Sequence, residues 1–104
     1  MAIECTVLGE IVRPPRMNKT RYEVPYVETV LLYPTKAHKH NKVQTYHAKV
    51  TISAFEKPII DAMMSLKVGD RVRADGVLSE RYRTAGRDVR INVTNIDKNN
   101  DIEL

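Results

Sequence analysis

Apolar and polar residues alternate with a period of two from Ile3 to Val12: Ile3, Cys5, Val7, Gly9 and Ile11 fall on one side, and Ala2, Glu4, Thr6, Leu8 and Glu10 on the other. That period predicts a first strand, because successive side chains of a strand point to opposite faces. In "RPPRMNKTRYEVP" the prolines remove backbone donors and Asn18, Lys19 and Thr20 supply turn chemistry, so a loop or the rim of a hairpin is expected. Tyr26 to Tyr33, "YVETVLLY", is β-branched and aromatic and reads as a second strand ended by Pro34, with the polar, basic "TKAHKHNK" as an exposed loop after it. Val43 to Ser53 reads as a third strand, with Tyr46, Ala48, Val50 and Ile52 toward the core and Thr45, His47, Lys49 and Thr51 toward water.

The period then changes. In "FEKPIIDAMMSLKVG", Phe55, Ile59, Ile60, Met63, Met64 and Leu66 recur at mostly three- and four-residue steps, which predicts one helix of roughly three turns. Pro58 fits a first helical turn and Gly69 the position after a helix end. A sharp turn should follow, with Gly69 at positive φ and Asp70 bonding turn amides. Arg71 to Leu78 then alternates Val72, Ala74 and Gly76 with Arg71, Arg73 and Asp75, a fourth strand in which Gly76 permits a bend at a barrel corner. "RYRTAGRD" reads as a hairpin loop around Ala85 and Gly86, and Val89 to Ile96 as a fifth strand. Five strands with one helix between the third and fourth is the order of an all-β OB-fold, a five-stranded, partly open Greek-key barrel. Residues 1–97 are expected to form this domain and 98–104 a short, frayed C-terminal tail.

Composition narrows the chemistry. A chain of 104 residues with 42% apolar and 29% charged residues suits one globular domain. No apolar run approaches the roughly 18 residues of a membrane span and no signal peptide is evident, so a cytoplasmic protein without membrane contact is expected. Cys5 stands alone and reads as core filler. His38, His40 and His47 lack metal-ligand spacing, no nucleophile has a recognisable base, and no glycine loop cradles phosphate, so neither enzyme activity, metal nor cofactor is expected. The net charge of +4 is uneven: from Arg13 to Lys49 there are eight Lys or Arg against Glu23 and Glu28. Clustered cations of this kind neutralise a polyanion or form a solvated surface with no partner. In "SERYRTAGRDVR", Arg81, Arg83, Arg87 and Arg90 surround Tyr82, an aromatic ring interleaved with cations as base stacking requires.

The stretches "CTVLGEIVRPPRM", "TYHAKVTI" and "LKVGDRVRADGVLSERYRTAGRDVRINV", in that order around a helix, resemble the bacterial and phage single-stranded DNA-binding proteins across about Ile3 to Ile96. The resemblance implies an OB-fold that self-associates, as a homodimer or homotetramer, and stacks bases on rings in a basic groove. It places Tyr46 where the family has a stacking Trp, His47 on the adjacent His, and Tyr82 within one position of another stacking Trp, although this chain has no Trp. Tyr46 remains divided between base stacking and core packing, since its alternation partners are core residues. The expected nucleic-acid-binding residues are Arg13, Arg16, Lys19, Arg21, Tyr22, Lys36, Lys39, Lys42, Tyr46, Lys49, Arg71, Arg73, Arg81, Tyr82, Arg83 and Arg87. The function so implied is sequence-independent binding and protection of single-stranded DNA in replication or recombination, with other replication or recombination proteins as further partners. Two alternatives stay open: a primosome-type accessory protein bridging helicase-loading partners, and a protein-interaction barrel that binds no nucleic acid.

Overall fold

The computed structural model describes residues 3–39, 42–83 and 86–104, and the side chains of these except at 36–39, 44, 80–83 and 86–88. Six strands and one helix follow one another: β1 (Ile3–Ile11), β2 (Arg16–Lys19), β3 (Pro25–Lys39), β4 (Lys42–Ala54), α1 (Lys57–Met64), β5 (Arg71–Arg83) and β6 (Gly86–Lys98). The hydrogen-bonded order is β1-β5-β6-β4-β3-β2, and β1 also pairs with β3, which closes the five long strands into an OB-fold barrel. β1 joins β3 at Glu10↔Leu32 and Ile11↔Leu31, and β4 joins β6 in parallel from Thr51↔Arg90 to Ser53↔Asn92. The alternation read from the sequence fills the interior: Ile11, Val27, Leu31, Ile52, Met63, Val72 and Ala74 are wholly buried. Cys5 packs against this core, as filler.

Four elements differ from the sequence reading, the first being the expected hairpin loop "RYRTAGRD": β5 continues past Leu78 to Arg83 and β6 begins at Gly86, paired as far as Arg83↔Gly86, while Thr84 and Ala85 lie outside the described residues. β2 is a short, fully exposed strand inside the expected loop, paired from Arg16↔Glu28 to Lys19↔Pro25 as the rim of a hairpin. Pro34 does not end its strand, because β3 runs on to Lys39 against β4 and Pro34 pairs with His47. Past Leu32, β3 has no neighbour on its other side among the described pairs, and at such an edge a residue without a backbone donor is tolerated. "TKAHKHNK" is therefore, where described, the outer part of a two-stranded arm; His40 and Asn41 lie outside the described residues. The helix is shorter than expected, eight residues, with Phe55 and Leu66 outside it and Met64 exposed. Pro58 sits in its first turn, and Met63 and Leu66 reach the core.

The turn into β5 forms as its residues dictate. Gly69 has φ +96°, in the left-handed region. The Lys67 amide donates to Asp70 Oδ2 at 2.8 Å, while the Gly69 amide donates to the Ile11 carbonyl and the Ile11 amide to the Asp70 carbonyl, each at 2.8 Å. These bonds tie the turn to the end of β1. The Lys67 amide first, and the Lys98 charge after it, hold the Asp70 carboxyl below its ordinary value against the upward push of desolvation. The C-terminal residues are not frayed either. Asn99 donates its amide to the Arg71 carbonyl, Asn100 Oδ1 accepts from the Arg71 amide, and the Ile102 carbonyl accepts from Arg71 Nη1 at 2.6 Å.

Candidate nucleic-acid interface

Residues directly opposite in a ladder share a face of the sheet. The register therefore assembles one face, turned away from the core, from Tyr26, Glu28, Val30, Leu32 and Pro34 on β3 and Thr51, Lys49 and His47 on β4, with Arg16 opposite Glu28 and Arg90 opposite Thr51. In its middle is a cleft of about 230 Å³ lined by Arg13, Pro14, Arg16, Glu28, Thr29, Val30, Thr51 and Arg90. The segment after β1 carries Arg13 into it, anchored where the Val12 amide donates to the Val30 carbonyl at 3.1 Å and the Thr29 hydroxyl to the Arg13 carbonyl at 2.6 Å. Arg90 is 4% exposed, and its Nη1 lies 3.6 Å from Glu28 Oε2. Three arginines thus line one cleft with a single carboxylate, which Arg90 pairs. An anion entering the cleft meets forked donors and a single competing charge.

A second cleft, of about 620 Å³, opens at the β2 end and is lined by Lys19, Thr20, Arg21, Tyr22, Val24, Tyr26 and Phe55. Tyr26 and Phe55 stack with ring centroids 5.2 Å apart. The Arg21 guanidinium lies 4.8 Å from the centre of the Tyr22 ring and donates to its hydroxyl at 2.6 Å.

Of the residues expected at a site, Arg13 and Arg16 meet in the first cleft and Lys19, Arg21 and Tyr22 in the second. Lys49 and Lys42 are exposed on β4. The alternation of Tyr46 with Val50 and Ile52 holds, and β4 keeps its register without a bulge, yet Tyr46 is 42% exposed because the strand carries it past the end of the barrel. Arg71 stands apart, next to Glu10 at 3.9 Å and bonded to the Ile102 carbonyl, and Arg73 lies 3.4 Å from Asp75 beside Thr6. The backbones of Lys36 and Lys39 belong to β3, those of Arg81, Tyr82 and Arg83 to β5 and that of Arg87 to β6; their side chains lie outside the described ones. Sequence reasoning left out Glu28 and Phe55, and it placed Arg90 only among the arginines around Tyr82. Period two in "VRINV" sets Arg90 away from the core, but the parallel pairing that brings it to Thr51 leaves no local mark. Among the described residues no group of three or more His, Cys, Asp or Glu is placed to hold a metal ion, and no helix is long and apolar enough to cross a membrane.

A closed five-stranded barrel with a cationic cleft on its sheet face defines an OB-fold protein. Its solved structural neighbours give the fold a more particular relation. The small single-stranded DNA-binding protein of Streptomyces coelicolor is similar over 95% of this chain and 94% of its own, at TM-score 0.74 and 20% identity. The Plasmodium falciparum SSB, solved in complex with ssDNA, is similar over 91% and 92%, at TM-score 0.77 and 15% identity. PriB of Ralstonia solanacearum is similar over 91% and 95%, at TM-score 0.69 and 14% identity. No protein-family model and no curated protein sequence matches the chain. The fold is thus that of the single-stranded DNA-binding proteins.

Proposed function

We propose that the chain binds single-stranded DNA without sequence preference, as a coating protein in replication or recombination with no chemistry of its own. The observation that carries this is the gathering of Arg13, Arg16 and Arg90 in a cleft on a sheet face that has Lys49 and His47 at one end and, beyond the buried Tyr26 at the other, the exposed rings of Phe55 and Tyr22. Cations along the face would neutralise phosphates, and rings would take bases, whose π-faces stack whatever the sequence. The solved complex of the Plasmodium neighbour with ssDNA supports the same reading. Lys36, Lys39 and Lys42 on the β3–β4 arm and Arg81, Tyr82, Arg83 and Arg87 on the β5–β6 hairpin would extend the contact on either side. A titration with oligo-dT tests it. Binding should quench tyrosine emission, which no Trp masks. With three to five phosphates neutralised, log K should fall against log salt with a slope of roughly −2 to −3.5, at about −0.7 per contact. A protein that leaves oligo-dT unbound at low salt is instead a protein-interaction barrel.

The same proposal includes self-association. From Ile3 to Leu8, β1 pairs with β5 on one side and has no described partner on the other, and Ile3 and Leu8 are 57% and 43% exposed. An open edge flanked by apolar side chains is the kind of surface a second copy covers. Sedimentation at micromolar concentration should give a dimer or tetramer, and an 11.9 kDa species there rejects self-association.

A further inference from the structure

The residues after β6 turn back onto the barrel. Three bonds to Arg71 fix residues 99–102 beside the start of β5, and two more close them into a turn. In that turn the Asp101 amide donates to Asn99 Oδ1 at 3.0 Å and the Ile102 amide to the Asn99 carbonyl at 3.1 Å. Asn is suited to this place, because its side chain stands in for a backbone acceptor. Arg71 also lies 3.9 Å from Glu10, the residue at which β1 joins β3. Leu104 then lines a small cleft with Leu32, Pro34 and His47. Together with Glu103 it also walls a cleft of about 410 Å³ whose other residues are Thr6, Val7 and Leu8 of β1 and Tyr33 and Pro34 of β3.

That lining locates the larger cleft. Successive side chains of a strand point to opposite faces, so three consecutive residues line one cleft only along the edge of their strand. Thr6, Val7 and Leu8 therefore present the edge of β1 that β5 does not pair, and Tyr33 and Pro34 present the edge of β3 just past Glu10↔Leu32. We propose that residues 101–104 are a strap that competes with a second copy of the chain for this edge of β1. The inference rests on the self-association reading. A strand added to β1 must run about 4.8 Å from it, in the space that Glu103 and Leu104 border. The exposed Ile3 and Leu8 on the same stretch of β1 favour a second copy as the competitor, since pairing two such edges covers apolar side chains and backbone groups together. The hold on the strap is light enough to yield: Leu104 is 42% exposed, and one bond from the Arg71 side chain, to the Ile102 carbonyl, reaches the strap itself. Arg71 is thus the residue that positions the strap.

A chain shortened to end at Asn100 loses the strap but keeps the Asn99 and Asn100 bonds to the Arg71 backbone. One hydrogen bond from a charged group corresponds to about a tenfold bias. The dissociation constant of the dimer, measured by sedimentation, should therefore fall about 10-fold if assembly displaces one strap and about 100-fold if it displaces both. Charge opposes this result, because the cut removes Asp101 and Glu103 from a chain of net charge +4 and raises the repulsion between copies. The chain has no Trp, so Leu104→Trp in the 104-residue protein reports the strap directly. Its emission should shift to the red over the concentrations at which sedimentation shows monomer passing to dimer. Thermal melts of both proteins, matched to that of the parent, keep folding out of the comparison. A shortened chain that associates as the parent does, or more weakly, overturns the strap and leaves self-association standing, and so does a Leu104→Trp emission that stays constant across the association range. Parent and shortened chain that both remain monomers at every concentration remove the self-association reading, and the strap with it.

Discussion

Gly76→Ala is expected to unfold the barrel more readily than any single surface change. A Cβ at position 76 would meet the Asn92 carbonyl oxygen at 2.2 Å and Ile91 Cγ2 at 2.8 Å, and the first of these is backbone of the paired strand β6. The ladder shifts register between Asp75 and Gly76, so the strand bends where a side chain is least tolerated. Relief would require β5 and β6 to part. Overpacking of this kind costs about 3 kcal/mol, which for a domain of this size lowers Tm by about 12 °C or more. Urea and thermal denaturation measure it directly, with the exposed Val68→Ala as a control that should stay within about 0.5 kcal/mol of the parent. A Gly76→Ala protein melting with the parent would show that the two strands do not approach so closely.

Replacing Arg13 and Arg16 together by Ala should produce the largest loss of strand affinity from the described residues. Both are exposed, so the protein should remain folded, whereas Arg90 is buried beside Glu28 and its removal would confuse binding with stability. With about 1.4 kcal/mol for each guanidinium–phosphate contact, near the lower end for charged hydrogen bonds, affinity for oligo-dT at low salt should fall about 100-fold. The salt slope should shrink by about 1.4, from two contacts at about 0.7 each. Glu28→Gln should act in the opposite direction, because the carboxylate now competes with phosphate for the same cluster. Fluorescence anisotropy across a salt series separates the two. Equal slopes in all three proteins would remove the cleft from the binding surface.

Much of the barrel was legible because its rules are local. The alternation in β1 and β4, the Gly69-Asp70 turn and the non-core placement of Arg71, Arg73 and Asp75 follow from neighbours in sequence, and the structure agrees at each. What escaped depends on distance. Tyr46 keeps its period yet is no core residue, because period two reports a side and says nothing of whether the barrel still lies behind it. Phe55 matched a helical step but precedes the helix and belongs with Tyr26. The arginine cleft joins residues from the β1–β2 connection, β2, β3, β4 and β6, so no window of sequence contains it; charge alone pointed to Arg13 and Arg16, while the meeting of Arg90 with Glu28 depends on pairings that only the closed fold defines.

The way the barrel closes bears on how it opens. β1, β5 and β6 make one antiparallel block and β2, β3 and β4 another, each with long internal ladders, whereas the blocks meet along short seams at Glu10 and Ile11 with Leu31 and Leu32, and at Thr51 to Ser53 with Arg90 to Asn92. Little backbone hydrogen bonding is lost if a seam parts. Resistance to parting comes from side chains: Ile11 and Leu31 at one seam, Ile52 and Ile91 at the other, all buried, with the Arg90–Glu28 pair reaching between the blocks. The molecule is in this sense a clamshell, and its partial openings should leave both halves of the sheet intact while wetting the interior. Trimming a seam side chain would then loosen the join before either ladder frays.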